Sequence, residues 1–406
     1  MKNSPLILEK LFLFSPIIIT FSVIFNFHDS KFLISRAIFL VVLYCLIFHR
    51  KDLAQEFKRK STFFVVGIIA CLYFFFMQYF NEGNSDLPRS MLFVLIYFFV
   101  VPTRNFSNDS LFYLAWLGCV SSGVLALYEV YALGEIRVGY RTVNPIPFSY
   151  YSGLSMLVMV GSFISSLSKD IDRVKLFFLL FALPLVLCAV VLSQTRATYL
   201  SLAIISLVFL THFILKYPTK KNIFSVLAIV ISVSTLLWQV DDVRIRVVDA
   251  FEQVQNLSHD NYYSSTGMRV KLWEAGLKIS QDSLVFGHSK SNISQYSSVL
   301  IAEGLAPSYL KQFLVHPNPN FHNQFIQTLV DSGLIGVFFI STFILLPTVI
   351  ASGRVTRLGM YISTYTAICL WFDSMFLYNH TVILYAFVAL ILYSNAANDT
   401  GKGEVS

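Results

Sequence analysis

The sequence predicts an all-α polytopic membrane protein, and three observations carry that prediction. Hydrophobic residues make up 56% of the 406 and charged residues only 13%, where a soluble domain carries about 25% charged. The mean hydropathy is +0.66. Apolar stretches close to the roughly 20 residues that a helix needs to cross a bilayer recur along the whole chain. They are too long for the strands of a membrane barrel, which alternate over about ten residues.

About twelve spans follow from the apolar lengths: 6–27, 32–48, 63–80, 91–101, 111–133, 151–167, 176–192, 199–215, 223–240, 325–350, 358–376 and 382–393. This divides the chain into nine spans within 1–240, one large outer loop at 241–323, three spans within 324–393, and a tail at 394–406. The first span is expected to be a retained anchor, because its apolar run is long and no small-residue cleavage pattern follows it. The net charge of +7 does not point to nucleic acid, because the basic residues gather in alternate loops: HRKDLAQEFKRK, SKDIDRVK, KYPTKK and SGRVTR. Positive loops stay in the cytoplasm, so both termini are expected there, with membrane lipids around the spans. The five cysteines sit inside apolar stretches without metal-ligand spacing and read as small core residues.

Polar chemistry gathers in the loops on the other side. GEIRVGYRTVNPIPFSY carries Arg137 and Arg141. The segment 241–323 is far longer than the usual limit of about 12–15 residues for a structureless loop, which marks it as functional. Within it, SSTGMRVKLWEAGLKIS reads as an amphipathic helix capped by Ser265 or Thr266. Met268, Leu272 and Gly276 fall on one face, and Trp273 suits the headgroup level. Arg269 stands in its first turn, where the helix dipole disfavours a cation unless an anion binds the same end. Arg196, in SQTRATYL, is held at the rim of the bundle by a turn with almost no loop. Ionisable groups at that depth are costly unless paired, and default to functional candidates. Interfacial anchoring of either arginine is the structural alternative.

The stretch HNQFIQTLVDSG leads into an apolar helix. At 100° per residue, His322, Leu329, Gly333 and Gly336 share one face, a seam for close helix packing. Asn323, Gln327 and Asp331 form a second, polar stripe. Asp331 must be paired, protonated or wet. Two guanidinium groups and one imidazole form a kit for transferring a group away from a phosphate. The arginine forks bind and stabilise the leaving oxygens, and the imidazole accepts the proton of an attacking hydroxyl.

The pattern His322-Asn323, nine residues, Gly333, two residues, Gly336 resembles the motif of the O-antigen ligase family, supported by the arginines of SQTRA and STGMRVKLWEAGL. The resemblance implies a GT-C-like fold in the bacterial inner membrane, with a periplasmic active site. It implies transfer of O-antigen from undecaprenyl pyrophosphate to a sugar hydroxyl of lipid A–core, with no metal or other cofactor. By carry-over, His322 would be the catalytic base, and Arg196 and Arg269 would bind the pyrophosphate. Arg137, Arg141, His316, Asn323 and Asp373 are candidate substrate contacts. Where relatives carry Gly-x-Gly after the arginine helix, this chain has Gly287-His288-Ser289. An O-antigen polymerase would use the same donor. A lipid-linked oligosaccharide flippase would need charge deep in several spans, which are nearly free of it apart from Arg36 and Asp331.

Overall fold

The computed structural model of the protein describes residues 4–28, 30–83, 85–102, 106–166, 172–350 and 354–403. Each of the twelve expected spans coincides with a helix: α1 (Ser4–Ser22), α2 (Lys31–Phe48), α3 (Arg50–Asn81), α4 (Asp86–Val100), α5 (Asn108–Leu127), α6 (Pro145–Ser166), α7 (Arg173–Leu192), α8 (Arg196–Lys216), α9 (Lys220–Trp238), α14 (Gln324–Ile350), α15 (Arg354–Phe372) and α16 (Asn379–Gly403). Between α9 and α14 lie α10 (Asp241–Leu257), α11 (Ser265–Ser280), α12 (Lys290–Ala302) and the single turn α13 (Lys311–Leu314). No strand occurs among the described residues. Eight of the twelve are long and apolar enough to cross a membrane; α1, α4, α15 and α16 fall short of that standard over the described residues. Residues 168–171 and 352–353 of two expected basic loops, and 404–406 of the expected tail, lie outside the described residues.

Two expectations about the spans and the loops between them are corrected. HRKDLAQEFKRK is no loop but the first three turns of α3. Lys60, at its end, is fully buried, donating to the Phe98 and Val101 carbonyl oxygens at 2.6 and 2.7 Å and pairing with Glu56 at 3.0 Å. A lysine there satisfies carbonyls at the C-terminus of α4 that the helix itself leaves without donors. The cysteines also divide. Cys45, Cys71, Cys119 and Cys369 are buried as expected, whereas Cys188 on α7 is exposed.

The main core joins α5 to α6 and α7, and brings α15 against α6, α8 and α14. Helix α9 stands at the edge, packing mainly on α8 and α10, with little of its surface covered. The 241–323 segment has a small core of its own, in which Leu272, Ala275 and Ile279 of α11 meet Ile293, Leu310, Leu314 and Phe321. That core also includes Val330 of α14, so α11 docks on the start of α14. The apolar face of α11 thus packs on protein rather than lying along the membrane surface. Its N-cap is Ser264, whose hydroxyl accepts from Gly267 N at 3.0 Å, not Ser265 or Thr266.

Helix α14 is two helical pieces joined at Gly333, where φ is +62° and ψ −168°, a conformation open essentially to glycine alone. The expected seam of His322, Gly333 and Gly336 assumes one unbroken helix, and it does not exist. Gly333 instead admits the loop after α11. Leu334 N donates to Leu284 O at 2.9 Å, and a Cβ on Gly333 would sit 2.0 Å from Val285 O. The atoms nearest a Cβ on Gly336 would be Ser332 Cβ at 2.5 Å and Thr328 Cγ2 at 3.1 Å.

Candidate active site

The site is built where the chain enters α14 beside the end of α15. Asn323 caps α14: its Oδ1 accepts from Phe325 N at 2.9 Å and Ile326 N at 3.1 Å. Asn323 N donates to Ser374 Oγ at 3.1 Å, and Gln324 Oε1 accepts from Phe376 N at 2.8 Å. These bonds join 323–324 to 373–376. They bring together His322 and Asp373, whose Nδ1 and Oδ2 lie 3.4 Å apart. That is long for a hydrogen bond, so the pair orients the ring more than it binds it. The carboxylate is also held by Ser374 N at 2.7 Å, and its side chain is 5% exposed against 19% for the imidazole.

His322 itself has φ +50°, an uncommon backbone conformation for a residue with a side chain. Its N–H donates to Asn320 Oδ1 at 2.8 Å, its carbonyl accepts from Trp273 Nε1 at 3.4 Å, and its ring meets Phe313 edge to face. Trp273 therefore turns its indole N–H into the site. With Nδ1 turned to Asp373, Nε2 is the nitrogen left for substrate.

Arg269 lies four residues before Trp273 and so shares its face of α11. Gly276 sets the distance between α11 and the site, because a Cβ there would lie 2.5 Å from Ile326 and 2.9 Å from Phe321. Burial pulls the Arg269 guanidinium below its ordinary value, and the charge of Asp373 acts in the opposite direction. Among the described residues its Nη1 reaches only Ser265 O, at 3.5 Å, and its buried Nε has no hydrogen-bond partner.

Arg196 is the first residue of α8. It donates to Gln253 Oε1 at 2.8 Å and Asp249 Oδ2 at 3.2 Å of α10, and it lies within electrostatic reach of Arg246 and Arg269. Gln253 Oε1 also accepts from Ser265 Oγ and from Thr266 N and Oγ1. One amide oxygen thus joins α10, the start of α8 and the start of α11. The fold therefore gathers Arg196, Arg269, Asp373 and His322 in sequence at one end of the bundle.

Of the remaining candidates, Arg137 supports the turn that carries Arg196, donating to Ser193 O at 3.0 Å and Thr195 Oγ1 at 3.4 Å. Arg141 is paired with Glu135 at the surface, and the exposed His316 accepts from Asn318 N at 3.0 Å. No hydrogen bond or ion pair among the described residues links either to the four central groups. Asp331 is paired, accepting from Gln327 Nε2 at 2.8 Å. Asp249 and Gln253 were not singled out from the sequence. Their signal was present, since Asp242, Arg246, Asp249 and Gln253 fall on one face of α10 at helical spacing.

Fold and site together define a multi-pass helical membrane protein with a histidine–carboxylate pair and two arginines at one end. Residues 177–341 match the family model described as O-antigen ligase, a stretch that holds Arg196, Arg269, His322 and Gly333. The chain is also similar to the O-antigen ligase of Escherichia coli (strain K12), with 23% identity over 416 residues, covering 98% of this chain and 96% of that one. These matches support placing the chain in the O-antigen ligase family.

Proposed function

We propose that the protein is a metal-independent O-antigen ligase, moving O-polysaccharide from undecaprenyl pyrophosphate to a sugar hydroxyl of lipid A–core on the periplasmic face of the bacterial inner membrane. The observation that carries this reading is the His322–Asp373 pair standing beside Arg269 and Arg196. An acceptor hydroxyl gives its proton to His322 Nε2, and its oxygen bonds to the anomeric carbon of the donor sugar. The bond from that carbon to the pyrophosphate oxygen breaks, and its electron pair stays with the leaving pyrophosphate. Asp373 stabilises the imidazolium, and the two guanidinium groups stabilise the charge on the leaving group. The buried Nε of Arg269 is a donor that a phosphate oxygen would satisfy.

The test is reconstitution in vesicles with lipid-linked O-polysaccharide and lipid A–core, without nucleotide or added metal. Ligated lipopolysaccharide is the expected product. His322→Ala lowers transfer by about 10²–10⁴-fold, the usual worth of a general base, while the protein still inserts; normal transfer by that variant refutes the base role. Deleting the gene separates the nearest rival. Loss of all attached polymer supports ligation, whereas a core bearing one repeat unit indicates a polymerase.

A further inference from the structure

Among the described residues, none of the 17 of α10 is buried, yet its sequence is two-faced. At 100° per residue, Leu257, Ala250, Val243, Val254, Val247 and Phe251 follow one another around an arc of about 120° that holds no polar residue. Phe251 is 74% and Val254 59% exposed. Beside the arc runs the polar stripe of Asp242, Arg246, Asp249 and Gln253, which grips the turn between α7 and α8. Gln194 Nε2 donates to Asp242 Oδ1 at 3.1 Å, and Gln194 Oε1 accepts from Arg246 at 2.7 Å. Further along, Asp249 and Gln253 accept from Arg196. From 242 to 253 the helix axis advances about 16 Å. Both ends of that length are tied to one turn, so α10 lies along the rim of the bundle rather than standing away from it.

Three observations say what covers the arc. Helix α9 ends at Trp238 and α10 begins at Asp241, so the chain passes almost directly from one to the other. Helix α9 is apolar along its length with little of its surface covered by protein, which leaves that surface to lipid. The grip on the α7–α8 turn then keeps α10 at the height where α9 leaves the bilayer. Finally, Arg246 and Arg244 border the arc on its two sides, which suits headgroup phosphates above an apolar face. We infer that α10 is an interfacial helix. Its arc lies among the acyl chains of the adjoining phospholipid leaflet, and its depth there, through Asp249 and Gln253, sets Arg196 at the level of lipid phosphates. The link to Arg196 rests on the glycan-transfer reading; the lipid contact does not.

The full chain with Cys188→Ser, carrying either Phe251→Cys on the arc or Glu252→Cys on the far side, is spin-labelled in phospholipid vesicles that contain no polyprenyl lipid. Collision rates are measured with oxygen, which concentrates in the acyl region, and with a neutral nickel complex, which stays in water. The ratio of oxygen to nickel collisions is expected to be at least several-fold higher at 251 than at 252. Equal ratios would mean that the arc faces water. A label at 251 shielded from both reagents would mean that a second copy or another protein covers it. Either result overturns the interfacial helix. For the link to Arg196, Phe251→Asp should raise the KM for the lipid-linked donor several-fold with kcat little changed, while Glu252→Gln leaves both as they are. An unmoved KM in the aspartate variant overturns the link. If the wild-type chain transfers no glycan yet the label at 251 reports lipid, the transfer reading fails and the interfacial helix stands.

Discussion

Arg269 carries a buried N–H without an acceptor beside the carboxylate of Asp373, and this residue separates charge from shape. Lysine would keep the charge but lose the planar fork and its Nε donor. Arg269→Lys is expected to lower kcat/KM for the lipid-linked donor by about ten- to a hundredfold, the scale of a hydrogen bond to a charged group. Donor titration in the reconstituted reaction checks this; full activity would return Arg269 to an anchoring role. Asp249 makes the opposite case. Its carboxylate holds the Arg196 guanidinium that a pyrophosphate would otherwise bind. Asp249→Asn keeps the shape and removes the competing charge, so the donor KM should fall by about threefold, a modest effect because both side chains are partly exposed. A raised KM would show that Asp249 presents Arg196 rather than competing for it. His322 was readable from its motif, but Asp373 was only one candidate among several. The two are 51 positions apart, and no local spacing connects them.

At the level of elements, α14 depends on the break at Gly333. Gly333→Ala would impose a backbone conformation that side chains avoid and place a Cβ against Val285 O. The expected cost is at least about 3 kcal/mol, seen as a lower unfolding temperature in detergent and weakened transfer as the 284–288 loop is displaced. An unchanged unfolding temperature would mean that the two pieces can straighten. Helical periodicity does not hold across residues 322–336, because they are not one cylinder. His322 precedes the helix and Gly333 interrupts it, so angles counted across them have no meaning. Helix α11 differs. Its two-faced pattern was correct, but an apolar stripe does not say whether lipid or protein will cover it.

For the whole molecule, the clustering of Arg196, Arg269, Asp373 and His322 at one end of the bundle makes sidedness the decisive property. The alternation of basic segments predicts that the α8–α9 turn faces the cytoplasm and that 241–323 lies outside. A phosphatase reporter that folds only outside the cytoplasm should be active when fused at Ser258 and inactive at Thr219. The reverse pattern would put the arginines and the histidine on the side away from lipopolysaccharide assembly.

The sequence by itself determined the helical membrane class, where along the chain the apolar helices fall, and which polar residues stand as candidates for the chemistry. Each of these depends on composition or on neighbours along one helix, and such information is local in the chain. Only the tertiary structure decided that Lys60 closes α4, that Trp273 and Asp373 flank His322, and that Gln253 joins α10 to Arg196 and to the start of α11. Those contacts pair groups from 12 to 57 residues apart. Which distant groups meet is set by how helices pack and where they break, and neither is encoded in a window of neighbouring residues.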